Sequence, residues 1–114
     1  SCMGVVDRFT LTEPELHYWL LGKSALCDHL ANATIEAAHR YAKGKPWSRV
    51  IWDVTAVAWL LNDNDRFMNS RVIPAPIPQY DHHYSLDPRR APLRYVWNIK
   101  RDALMADLIA KLTK

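Results

Sequence analysis

Apolar residues at helical spacing predict a short first helix. Thr12 can cap it, Pro14 fits its first turn because an N–H is not needed there, and Glu15 completes a capping box. Leu16, Trp19 and Leu20 then fall on one face. The pattern therefore predicts a helix that packs against a core through that face.

A longer helix is predicted to begin after Ser24, with Leu26, Leu30 and Ala37 to Ala38 on its apolar side. Gly44, just before a proline, is predicted to end it, because glycine readily takes the left-handed conformation at a helix C-terminus. Cys27 lies inside this helix and is interpreted as a small core residue.

The middle of the chain holds an almost uninterrupted apolar stretch. A short run at 50–52 is followed by Asp53 and then by residues 54–61, which are apolar nearly all round. Such a stretch predicts a helix that is buried on most sides. Because Asp is a preferred residue at helix N-termini, Asp53 is predicted to cap this helix.

Prolines dominate the segment 66–93 and exclude a helix there, so we expect extended chain with at most an edge strand at 71–73. Residues 94–99 are rich in aromatic and β-branched side chains and predict a strand. The apolar spacing over 100–114 predicts a closing helix.

The predicted structure is thus mainly helical, with one or two short strands and a proline-rich extended segment. This is a poor plan for an independent fold, because few elements can cover the apolar stretch 54–61. One interpretation is a small α+β domain, and the other is part of an α/β protein whose covering elements lie upstream. The chain begins with Ser1 and reaches Met only at position 3, which favours a start inside a longer gene.

Composition and length fit one domain over residues 1–114, with 49% hydrophobic and 24% charged residues. No apolar run approaches the roughly 20 residues needed to cross a bilayer, so no membrane partner is expected. The net charge of +3 is small and scattered, which argues against a nucleic-acid partner. Two cysteines are too few for a disulfide framework or a zinc site, so a reducing cytoplasm is the expected location.

Asp53 is the strongest candidate for chemistry, because it follows Trp52 at the head of an otherwise apolar helix. A structural N-cap explains this residue without any function. A carboxylate can also cap with one oxygen and offer the other to a hard cation, which prefers oxygen ligands. The residues alone leave both interpretations open.

The segment that begins at Asp53 resembles a C-terminal motif of the inosine–uridine preferring nucleoside hydrolases, in which an Asp heads a helix of the pattern Asp-x-x-Ala-Val-Ala. Other segments resemble the same family in the same order: Cys2 to Val6, the helix Glu15 to Leu21, Pro74 to Pro78, and the closing helix from Arg101 to Leu104. The resemblance covers essentially the whole chain, and the order of the segments is more specific than the motif alone.

The resemblance implies an open α/β sheet fold of which this chain is the C-terminal part. It also implies a calcium-dependent enzyme that cleaves the N-glycosidic bond of ribonucleosides to ribose and free base. One Ca²⁺ would bind the ribose 2′- and 3′-hydroxyls and a water, with Asp53 as one metal ligand that also contacts ribose. The Asp-rich motif that supplies the other ligands and the base is absent from these 114 residues, so the chain alone is expected to be inactive and to bind no calcium.

Two aromatic residues are candidates for the nucleobase pocket. Many family members have a His before the helix-heading Asp, as a candidate proton donor, where this chain has Trp52. An indole cannot act as a general acid at neutral pH, but it can stack on a base. Tyr41 stands where members place mobile base-contacting aromatics, and a core or surface role explains it at least as well.

The alternative function is a non-catalytic module, either a truncated paralogue or an interaction domain. An apolar surface left exposed where a sheet is missing would drive self-association into a homo-oligomer. The adjacent Asp81, His82 and His83 are interpreted as a solvated loop, because neighbouring residues seldom bind one ion without a third ligand. His17 and His39, on predicted helices, are interpreted as structural.

Overall fold

The computed structural model describes residues 3–114, and Cys2 lies outside them. Five helices are present: α1 Met3–Val6, α2 Glu13–Trp19, α3 Ala25–Ala42, α4 Val54–Leu60 and α5 Arg101–Leu112, with a 3₁₀ turn at Asp63–Asp65. Six strands accompany them: β1 Thr10–Thr12, β2 Ser48–Val50, β3 Met68–Pro74, β4 Ile77–Pro78, β5 Tyr84–Ser85 and β6 Pro92–Ile99. Within this part of the chain, no helix has the length and apolar character required to cross a membrane.

The strands form three separate antiparallel pairs: β1 with β2, β3 with β6, and β4 with β5. The prediction of one or two short strands was therefore too low. The missed strands are two or three residues long, and backbone pairing rather than an apolar alternation creates them. At a coarse level the described chain is a mixed α/β structure.

The predicted start of α2 is confirmed. The Glu15 carboxylate accepts hydrogen bonds from the backbone N–H and from the hydroxyl of Thr12, each 2.8 Å long. Leu16 and Leu20 are buried as expected, whereas Trp19, predicted on the same face, is 46% exposed because no described element covers it. Gly22 follows with φ of +78°, a left-handed conformation that glycine adopts without steric strain.

Helix α3 begins as predicted, with Ser24 Oγ accepting the N–H of Cys27 at 3.1 Å. Its buried face agrees with the prediction at Ala38 and Cys27 but not at Leu26 and Leu30, which are exposed. Small side chains form the buried face instead: Cys27, Ala31, Ala38 and Ala42. The distance at which two helices pack depends on the side chains at their contact, so small residues let α3 approach its neighbours closely.

The centre of the core is built from residues beside the short elements. Phe9, between α1 and β1, is fully buried, and so are Phe67 and Met68 at the start of β3. Asn62 holds Phe67 and Met68 in place. Its Oδ1 accepts hydrogen bonds from the backbone N–H of Phe67 at 2.8 Å and from that of Met68 at 2.7 Å. A polar side chain therefore organises the chain where it enters the core.

Helix α4 is not buried on most sides in the described chain, contrary to prediction. Thr55 and Ala58 are its buried residues, whereas Val57 is 58% exposed and Leu60 is 79% exposed. The helix packs on the core through one face, and no described element covers the opposite face. An apolar composition all round predicted burial, but burial also requires covering partners.

The two long strands, β3 and β6, confirm the predicted strands at 71–73 and 94–99. Together with β4 and β5 they form an arm, residues 68–99, which we call the hairpin arm. The radius of gyration is 17.0 Å, against about 13 Å for a compact chain of similar length. The loop at 81–83 is exposed, which agrees with its interpretation as a solvated loop.

Candidate functional site

Asp53 lies at the junction between β2 and α4. Its backbone angles, φ −68° and ψ −28°, are already helical, whereas capping residues are usually extended. The side chain makes no capping hydrogen bond, so the predicted N-cap role is wrong. Instead, the Trp52 carbonyl accepts two hydrogen bonds from Thr55 in the first turn of α4. One comes from the Thr55 N–H at 3.0 Å and the other from the Thr55 hydroxyl at 2.6 Å. The exposed Asp53 carboxylate is consequently available to a ligand.

A surface depression of about 570 Å³ contains all three of the predicted site residues. Trp52 and Asp53 reach it from the start of α4, and Tyr41 reaches it from the C-terminal end of α3. The other lining residues are Ser48, Arg49, Val50, Ile51 and Val54. Tyr41 is separated from Asp53 by the whole of β2, so the fold rather than sequence adjacency brings the two together.

Trp52 makes a hydrogen bond that sequence reasoning missed. Its indole Nε1 donates to Asp7 Oδ1 at 3.2 Å, although 45 positions separate the two residues. Neither a motif nor a spacing pointed to Asp7, because the contact depends on how β1 and β2 pair. The indole is 49% exposed, so one part of it is held while much of it faces the depression and solvent.

Comparisons with protein-family models, with curated proteins and with solved structures found no match to this chain. The candidate site is therefore defined by Tyr41, Trp52 and Asp53 and by the contact between Trp52 and Asp7.

Asp53 is the carboxylate that the depression offers as a calcium ligand. Asp53 offers an exposed carboxylate, and Ca²⁺ takes about six to eight oxygen ligands. Residues 3–114 contain no group of three or more His, Cys, Asp or Glu side chains that could hold a metal ion. The described residues therefore contribute one candidate ligand, Asp53, to a calcium site.

A second polar cluster, whose residues do not line the depression, joins α2 to α3. Glu13 Oε2 lies 3.0 Å from His39 Nε2, and Glu13 Oε1 lies 3.7 Å from His17 Nε2. The hydrogen bond with His39 lowers the pKa of Glu13 below its usual value. The Trp47 ring packs edge-on against the His39 ring. These contacts agree with the structural interpretation of His17 and His39.

Proposed function

We propose that this chain provides part of the substrate and metal site of a calcium-dependent nucleoside N-ribohydrolase, an enzyme that splits ribonucleosides into ribose and free base. The observation that carries the proposal is the meeting of Tyr41, Trp52 and Asp53 in one depression. All three were singled out in the sequence through the resemblance to the nucleoside hydrolases, and Tyr41 is the one that is distant in sequence from the other two. A volume of about 570 Å³ is within the usual range for small-molecule sites.

The chemistry of the three side chains fits a nucleoside. The free carboxylate of Asp53 can serve as one oxygen ligand of a divalent cation and can accept a hydrogen bond from a ribose hydroxyl. The indole of Trp52 and the ring of Tyr41 can stack on a nucleobase, since every base has a π-face. Trp52 cannot protonate the departing base, so that proton must come from another group.

The remaining calcium ligands and the catalytic base belong, in this proposal, to residues outside 3–114. The exposed apolar face of α4 supports such an arrangement, because Val57 and Leu60 lie on the helix that Asp53 heads. A covering element packed on that face would also approach the depression. The bound calcium would supply Lewis-acid activation of a water and would orient the sugar.

The proposal is tested on the natural reading frame that contains these 114 residues. Ribose release from inosine, uridine and adenosine is measured with calcium and with a chelator. We expect calcium-dependent release that Asp53→Ala lowers by about 100-fold or more, because losing a metal ligand removes several kcal/mol of transition-state stabilisation.

Asp63→Ala is the matched control, since it removes the same charge from an exposed turn beyond the depression. It should retain activity within about twofold, as expected of surface substitutions. Release that is independent of calcium, or equal in Asp53→Ala and in the unchanged protein, would remove Asp53 from the proposed site.

A second candidate function is a non-catalytic module that associates through α4. The observation in its favour is the same exposed apolar face, where Leu60 is 79% exposed. An apolar face on a helix that is otherwise packed on the core is typical of an interaction surface. A reading frame that releases no ribose from any nucleoside, and a chain that self-associates, would favour this module.

A further inference from the structure

We propose that Asp7 is a positioning residue, which fixes the orientation of the Trp52 indole in the depression shared with Asp53; this inference rests on the proposed function. Asp7 Oδ1 accepts the hydrogen bond from Trp52 Nε1 at 3.2 Å. The indole N–H lies in the plane of the ring. The bond therefore orients the ring without covering either face, and the 49% exposure of Trp52 leaves ring surface for stacking on a base.

The chain around Asp7 is anchored on both sides. Val6 is 7% exposed and Phe9 is fully buried, so both neighbouring segments are held in the core. The N–H of Phe9 donates to the carbonyl of Val6 at 2.9 Å, which closes a tight turn around Asp7. The carboxylate is thus presented from a fixed backbone, as a positioning role requires.

Backbone pairing brings Asp7 and Trp52 together. Thr10 pairs with Val50 in the register of β1 and β2, and the N–H of Ile51 donates to the carbonyl of Phe9 at 3.1 Å. The donor residue, Ile51, is one position before Trp52, and the acceptor residue, Phe9, is two positions after Asp7. The side-chain contact therefore continues a ladder of backbone hydrogen bonds.

The expected consequence concerns binding of the base. Holding an aromatic side chain before the ligand arrives reduces the conformational entropy lost on binding. Loss of Asp7 should therefore weaken base binding while the Asp53 carboxylate keeps its place. In an active enzyme, Asp7→Ala should raise KM and leave kcat nearly unchanged, whereas Asp53→Ala should lower kcat.

The contact is tested on the 114-residue chain by the NMR signal of the Trp52 indole N–H, assigned from its loss in Trp52→Phe. Asp7→Ala should shift this signal and speed its exchange with water by about fivefold, the effect of one net hydrogen bond. Asp7→Asn keeps an oxygen acceptor and should preserve the signal, and Asp63→Ala is the control for lost charge. The other four indole signals report whether each variant is folded.

Adenine is then titrated into each protein and followed by the same signals. We expect adenine to perturb the Trp52 signal, and Asp7→Ala to bind adenine about fivefold more weakly, with Asp7→Asn restoring the affinity. An unchanged Trp52 signal in Asp7→Ala, or equal adenine affinities in both proteins, overturns the proposal. If the indole signal responds to Asp7→Ala but adenine binds neither protein, the role of Asp7 in base binding is overturned, whereas the nucleoside function is tested separately by ribose release from the natural reading frame.

Discussion

Glu15 and Arg101 form an ion pair that joins the first turn of α2 to the first residue of α5, 86 positions later in the chain. Arg101 also donates to the carbonyl of Thr10 at 2.8 Å, and so ties α5 to β1. Burial raises the pKa of Glu15, but the hydrogen bonds from Arg101 and from Thr12 outweigh this effect and hold the pKa below its usual 4.5. The capping carboxylate of one helix therefore also anchors another.

Replacing Glu15 by Gln should reduce the free energy of unfolding by about 1 kcal/mol at pH 7, because both side chains of the pair are largely shielded from solvent. Urea unfolding of both proteins measures the difference. Glu36→Gln is the control, since its pair with Arg40 is 75% exposed on both sides and should change stability by less than about 0.5 kcal/mol.

The difference in the free energy of unfolding between Glu15→Gln and the unchanged protein should depend on pH. The pKa of Glu15 is lower in the folded protein than in the unfolded chain, so its stabilisation is present above pH 4.5 and is lost as the pH falls through the folded pKa. The difference between Glu15→Gln and the unchanged protein should therefore shrink in unfolding curves recorded below about pH 4.5. A difference that stays constant down to pH 2 would exclude the ionised pair as its source.

Asn62→Ala should destabilise the protein by about 2–3 kcal/mol, because it leaves the backbone N–H groups of Phe67 and Met68 without their acceptor beside the core. Thermal and urea unfolding measure the loss. Asn32→Ala, at an exposed position of α3, should stay within about 0.5 kcal/mol of the unchanged protein. Equal effects of the two substitutions would show that Asn62 does not organise the entry of the chain into the core.

The exposed face of α4 should drive self-association of the 114-residue chain. Leu60→Lys should weaken that association by about tenfold, since burying one Leu side chain is worth ~1.5–3 kcal/mol. Sedimentation at several protein concentrations measures it, and Leu26→Lys, on an exposed position of α3, is the matched control. The expectation fails if the chain is monomeric at all concentrations or if both variants weaken association equally.

Calcium at millimolar concentration should not raise the Tm of the 114-residue chain, because Asp53 alone cannot complete a site of about six to eight oxygens. A ligand raises the Tm of a domain of this size by several degrees when its Kd for the folded state is well below the ligand concentration. Thermal unfolding with and without calcium measures this. A rise that disappears in Asp53→Ala would reveal a local site that the described side chains do not indicate.

Sequence reasoning placed the long elements and their starts. The residues Ser24 and Glu15 marked helix starts correctly, because capping is a local interaction within one turn. The two long strands of the hairpin arm, β3 and β6, were also found, since prolines and β-branched residues restrict the backbone locally. Tyr41, Trp52 and Asp53 were singled out before the fold showed that they share a depression.

Only the tertiary structure decided which faces are covered and which distant residues meet. Leu26 and Leu30 were predicted to face the core from α3 but are exposed, and the composition of α4 predicted burial that no described element provides. The contact of Asp7 with Trp52 depends on the pairing of β1 with β2, and the sequences of these short strands do not predict that pairing. Local residue preferences determine where helices begin. Burial and long-range contacts depend instead on which surfaces pack together, and one segment of the sequence does not show which other segment will pack against it.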